Sequence, residues 1–183
     1  DIMALTKAMA EAAGDSGWCI HLGATSNDIV DSAVALQIRD SINLQQQTMK
    51  KLLSTMCDLA ERERDTVMLG RTHGQAAVPI TFGLKVAVWV DEFRRHLDRL
   101  DELTPRVTTG KFLGAVGTGA AQGENAFELQ SLIMKNLGLE TPIATTQVVG
   151  RDRYIEWVSW MANVSTSIET VSYTHLRAHE TTC

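Results

Sequence analysis

"NDIVDSAVALQIRDSINLQQQTMKKLLSTMCDLAERERDTVML", Asn27 to Leu69, contains neither glycine nor proline. Within it Ile29, Val30, Ala33, Val34, Leu36, Leu44, Leu52, Leu53, Met56, Leu59 and Ala60 recur at roughly helical spacing. The preceding "TSND" offers side-chain oxygens for an N-cap. Asp28 and Asp31 then fall in the first turn, where the helix dipole favours negative charge. A helix over most of this span would be on the order of 55–60 Å long. That exceeds the ordinary globular helix, so it needs packing partners along its whole reach.

Outward from that span the pattern repeats. Pro79 and Pro105 bracket "ITFGLKVAVWVDEFRRHLDRLDELT", whose Leu84, Val86, Val88, Trp89, Phe93, Leu97 and Leu100 suit a second buried helix. The acidic and basic residues of "DEFRRHLDRLDE" would face outward, with His96 solvated among them. "GKFLGAVGTGAAQG", 110–123, reads as a glycine-rich loop, and "ENAFELQSLIMKNLGLETP" as a shorter helix stopped at Gly138 and Pro142. Arg151 to about Val171 reads as another helix, Asp1 to Ala13 as a short one, and "GDSGWCIH" as a connector. No strand is expected. The fold class is all-α, a bundle of long helices whose half-exposed apolar faces suggest oligomerisation.

The 183 residues, 44% of them apolar, can bury one sizeable core. A formal charge of −5 with acids and bases interspersed disfavours a nucleic-acid surface. No run of 18 apolar residues suggests a membrane span, and the first residues lack the pattern of a signal peptide. Three scattered cysteines (Cys19, Cys57 and Cys183) do not form a disulfide framework, so a reducing cytoplasm is the default compartment.

Several short stretches could carry chemistry. In "GRTHGQAAVP", 70–79, His73 sits between Thr72 and Gly74 in an expected loop between two helices. A free imidazole, with a pKa of about 6.5, exchanges a proton near neutrality. The bland alternative is a capping histidine in a tight turn. In "HLGATSND", 21–28, the Thr25 and Ser26 hydroxyls and the free amides of a helix start could hold a carboxylate or phosphate, or simply cap the helix. "GAVGTGAAQG" fails as a dinucleotide fingerprint, because Gln122 stands where the third glycine belongs. Its glycines suit close backbone approach instead. Arg151 and Arg153 in "QVVGRDR" could meet a carboxylate-rich substrate or form surface ion pairs. His175, His179 and Cys183 share a helical spacing, but no fourth ligand accompanies them, and neither a metal nor a cofactor is expected.

Taken in order, "HLGATSNDIVDSA", "GRTHGQAAVPITFGLKVAVW", "GAVGTGA" and "QVVGRDRYIEW" closely resemble the archaeal and bacterial adenylosuccinate lyases of the fumarase/aspartase superfamily. The likeness runs from Asp1 to about Thr170. It implies three helical domains around a central long-helix bundle, with four subunits sharing one core and each active site drawing on three of them. Residues 1–25 would end the N-terminal domain, and 26–171 would form part of the central one. The reaction implied is β-elimination of fumarate from adenylosuccinate to give AMP, with a parallel step on the succinyl-carboxamide imidazole ribotide. His73 matches the family's general acid and Thr72 a neighbouring substrate contact. Thr25, Ser26 and Gln147 match groups that hold the succinyl carboxylates, and His21 matches a histidine near the substrate.

The sequence departs from the family pattern in two places. The serine-rich signature loop with its Met-Pro-x-Lys-x-Asn-Pro ending, which supplies the catalytic base, is not among these residues, nor is a histidine that the family carries just ahead of Asp1. The chain is therefore expected to be a piece cut at both ends. From Ser172, "SYTHLRAHETTC" abandons the preceding periodicity and resembles read-through of adapter or vector DNA. "GATSNDIVDSAVALQIRD" also looks like carboxymuconate cycloisomerase, but those bacterial enzymes usually lack the "THG" histidine. Argininosuccinate lyase, fumarase and a non-catalytic oligomer scaffold are further alternatives. With only the acid half of an acid–base pair, the purified 183-residue chain should release no fumarate from adenylosuccinate in an ultraviolet absorbance assay.

Overall fold

The computed structural model describes residues 2–180, and their side chains from Met3 to Tyr173. The chain runs α1 (Ile2–Ala12), a 3-10 turn (Gly14–Cys19), α2 (Ser26–Arg62), β1 (Val67–Thr72), β2 (Gln75–Thr81), α3 (Phe82–Val107), a second 3-10 turn (Gly123–Asn125), α4 (Ala126–Leu137) and α5 (Asp152–Glu180). Two compact units result. The first joins the residues up to Ser41 with Thr104–Tyr154, and the second joins Ile42–Leu103 with the chain from Ile155 onward. No described helix is long and apolar enough to cross a membrane.

The helical bundle class is as expected, with four differences. The long helix fills most of its span as expected and ends at Arg62, but beyond it, where no strand was expected, Val67–Thr72 pairs antiparallel with Gln75–Thr81. This hairpin is the one structure the periodicity concealed. Gly70 and Pro79 interrupt its two strands, and Pro79 can sit in β2 only because a two-stranded sheet consists of edges. Second, α3 runs past Pro105 to Val107, which is wholly buried, so packing outweighs the amide that proline lacks. Third, α5 continues through Glu180 with no break at Ser172.

In the second unit, buried positions recur every seven residues: Ile42, Met49 and Met56 on α2, then Val86, Phe93 and Leu100 on α3. Seven is two turns of helix, the spacing of a long helix packed lengthwise on another. Gly83 lets the start of α3 pass the end of α2, since a Cβ there would lie 2.5 Å from the Ala60 carbonyl oxygen. In the first unit Ala35, Met134 and Leu139 form a core flanked by Leu36, Phe112, Ile133 and Leu137. α4 ends in a Schellman turn. Gly138, at φ +64, gives its amide to the Lys135 carbonyl, and Leu139 gives its amide to that of Met134.

The fourth difference is His96. It is not solvated but 2% exposed, on the α3 stripe 93–96–100–103. The Trp160 indole donates to its carbonyl at 2.8 Å, and its Nε2 lies 2.8 Å from the Ser167 hydroxyl, which itself donates to Glu92. With the hydroxyl proton given to Glu92, Nε2 must be the donor and Nδ1 the acceptor, facing the Arg99 guanidinium at 3.4 Å. Burial, and then the Arg99 charge, hold the His96 pKa below its ordinary value of 6.5. As pH falls through about 6.5 the unfolded chain therefore gains a proton that the folded chain refuses. His96 costs the fold nothing above that pH and destabilises it progressively below, down to its own folded pKa. Melting temperatures across pH 5–8 should fall at the acid end, and His96→Gln, which keeps a donor but cannot titrate, should flatten that part of the profile.

Candidate functional site

The first unit presents the start of α2. Thr25 is its cap and Asp28 the third helical residue. The Asp28 carboxylate reaches back to the Thr25 amide at 2.8 Å, as the acidic member of a capping box does. It also accepts the amides of Leu113 at 3.2 Å and Gly114 at 3.0 Å, and the ammonium of Lys111. Neither the Asp28 nor the Lys111 side chain is exposed to solvent. The glycine-rich loop is thus bonded directly to the beginning of α2.

One turn further on, Asp31 accepts the Val149 amide at 2.9 Å and the Arg151 guanidinium at 2.9 Å. Its carboxylate raises the Arg151 pKa further above the usual range. This anchors the "QVVGR" segment with Gln147 exposed two residues from the anchored Val149. Arg151 therefore has a structural partner, whereas sequence alone left it undecided between substrate and ion pair. Arg153 turns away to the Arg106 carbonyl and the Thr109 hydroxyl.

The loop's glycines do what their spacing suggested. Gly117, at φ +79, lies where a Cβ would be 2.0 Å from the Thr145 carbonyl oxygen. The Gln122 amide donates to the Gly23 carbonyl at 2.8 Å, tying the same loop to the turn that carries His21. His21 is half-buried at φ +66, its Nε2 closed off from solvent without a hydrogen-bond partner. Ser26 is exposed and Thr25 half-buried. Thr25 and Ser26 at the helix start, His21 on the turn before it and Gln147 on the 145–151 segment thus lie on segments that are hydrogen-bonded to one another.

The second unit presents the hairpin. Thr72 pairs with Gln75, leaving His73 and Gly74 as a two-residue turn at φ +51 and +73. Two left-handed residues in such a turn match the strand twist, and the second is the glycine that this geometry favours. The first is not. Thr72 and His73 are both exposed at the tip. His21 and His73 are, among the described residues, the two non-glycine residues held at positive φ. Such backbone is sparsely populated and tends to collect at functional sites.

Lys111 was missed in the sequence, although an isolated lysine between glycine and apolar residues was a signal. So were Asp28 and Asp31: Asp28 stands seven residues before buried Ala35 and Asp31 seven before buried Ile38. No group of three His, Cys, Asp or Glu among the described residues is arranged to hold a metal. The side chains of His175, His179 and Cys183 lie outside the described residues.

A family model described as Lyase matches residues 2–174. The chain belongs to this lyase family. It is 47% identical over 169 residues to an adenylosuccinate lyase from Pyrococcus abyssi, covering 92% of this chain and 38% of the relative. The chain thus spans well under half the length of that lyase. The crystal structure of a fumarate lyase from Mesorhizobium sp. BNC1 superposes with a TM-score of 0.89 at 38% identity, over 98% of this chain and 42% of that one. A 3-carboxy-cis,cis-muconate lactonizing enzyme from Pseudomonas putida gives 0.84 at 34% identity, over 94% and 39%.

The lyase-family framework makes a graded prediction about the glycine-rich loop. Gly123 has a positive φ but open space around it, so Gly123→Ala should cost about 1 kcal/mol in chemical denaturation. Gly117→Ala adds collision with a carbonyl to the same strain and should cost roughly 2–5 kcal/mol.

Proposed function

We propose that this chain is the part of an adenylosuccinate lyase that carries its general acid and part of its carboxylate-binding site. The observation that carries the reading is the strained backbone at both His21 and His73, the two histidines that the family resemblance singles out. The hairpin turn itself asks for left-handed backbone at position 73, and a proton donor that must point in one direction gains from being carried on so constrained a turn. The identity to the Pyrococcus relative supports the substrate.

In the proposed reaction a base removes a proton from the carbon next to one succinyl carboxylate. The electron pair forms the double bond of fumarate as the carbon–nitrogen bond breaks. The departing nitrogen takes its proton from His73. Negative charge builds on the succinyl carboxylate during this step, and Thr25, Ser26 and Gln147 would hold it with hydroxyl and amide donors. Thr72, beside the acid, would contact the substrate, and His21 would lie near it. The base would come from the serine-rich loop of the whole enzyme.

The reading requires no contact between the two units of one chain, because the family's sites are composite. A homotetramer is part of the proposal, supported by the exposed Leu84, Val88, Ile155, Val158 and Ile168 of the second unit. No cofactor enters the reaction as proposed, and a cytoplasmic enzyme of purine nucleotide synthesis is the setting that follows from the substrate.

The test uses the complete protein encoded by the gene. Its kcat for fumarate release from adenylosuccinate should fall by about 10²–10⁴ on His73→Gln. Turnover of 3-carboxy-cis,cis-muconate in place of adenylosuccinate would favour the function named for the Pseudomonas structure. Turnover of neither would favour a scaffold.

A further inference from the structure

We infer that Lys111 is a positioning residue for carboxylate binding at the start of α2, acting through Asp28 by cancelling its charge. The inference rests on the functional reading above. Asp28 accepts the Thr25 amide, so it sets the backbone from which Thr25 and Ser26 are presented. It does so as a carboxylate without solvent contact, one helical turn from the place where an anionic ligand would be held. Alone, it would repel that ligand, and burial would leave the repulsion poorly screened.

The Lys111 ammonium answers this. It donates to the Asp28 carboxylate and, at 3.4 Å, to the Gly114 carbonyl, and its side chain is also fully buried. The pair therefore adds no net charge beneath the helix start, while the Asp28 oxygens still organise Thr25, Leu113 and Gly114. Charge balance also stabilises the fold, so a purely structural pair would make succinate affinity follow folding stability, whereas charge balance at the ligand lets the two diverge. Removing the lysine charge leaves Asp28 uncompensated. Neutralising both members restores the balance even where stability is not recovered.

The experiment compares the complete wild-type protein with Lys111→Met, Asp28→Asn and the double variant, measuring succinate affinity by calorimetry and folding by thermal melting. Succinate is the probe because it presents two carboxylates without the rest of the substrate. Lys111→Met should weaken succinate binding about tenfold or more. The double variant should bind within about threefold of wild type while melting at a lower temperature. Should Lys111→Met fail to fold, Lys111→Gln, which keeps a donor without the charge, takes its place with the same expectation.

Succinate affinity that follows melting temperature across the series, with the double variant as weak as the single, would overturn the charge-balancing role. So would a folded Lys111→Met protein with wild-type affinity. A wild-type protein that releases fumarate and shows these losses supports both readings. One that releases fumarate but is indifferent to Lys111 refutes only the inference. One that neither binds succinate nor releases fumarate overturns the functional reading, and the inference with it.

Discussion

A carboxylate without access to water has to be met by donors, and Asp28 meets this condition with three backbone amides and an ammonium. The bonds come from the residue capping its own helix and from a loop more than eighty residues later in the chain. That constraint organises the first unit. Once Asp28 is buried, residues 111–114 have to wrap the start of α2. Asp31 applies the same rule one turn later and draws in Val149 and Arg151. Breaking a buried pair of this kind from one side is strongly destabilising, because the remaining charge stays behind without a partner.

The same two aspartates begin the apolar stripe of α2. Asp28, Ala35, Ile42, Met49 and Met56 are buried at intervals of seven. The helix thus uses one face for both purposes, with charge where glycine-rich backbone can supply donors and hydrocarbon where other helices can pack. In the second unit the α3 stripe is likewise interrupted once, at His96, where Ser167 and Trp160 of α5 supply the polar partners. A polar residue on a buried stripe therefore marks the place where an element distant in sequence has to arrive.

The hairpin follows different physics. A two-residue turn with both members left-handed needs glycine at one position, and Gly74 provides it. His73 occupies the other at a conformational cost that helps to fix its direction. The helices on either side hold the hairpin base: the Phe82 amide bonds to the Thr66 carbonyl and the Gly83 amide to that of Glu63. The close passage of α3 over α2 at Gly83 makes that closure possible.

The sequence by itself determined the all-α bundle, the long uninterrupted helix, the order of its partners and the motif residues, because helical periodicity and the placement of glycine and proline are local properties. It could not show that α2 yields to a strand at Val67, since β pairing depends on a partner strand. It also gave no sign that α3 outlasts Pro105, which the burial of Val107 decides. His96 looked solvated because the sequence around it is charged, and only the arrival of α5 on that face makes it a buried, neutral imidazole. Asp28 and Asp31 read as ordinary first-turn acids until the loop and the 149–151 segment were in place. Each of these outcomes rests on contacts between residues far apart in the chain, and tertiary structure alone decides which of those contacts form.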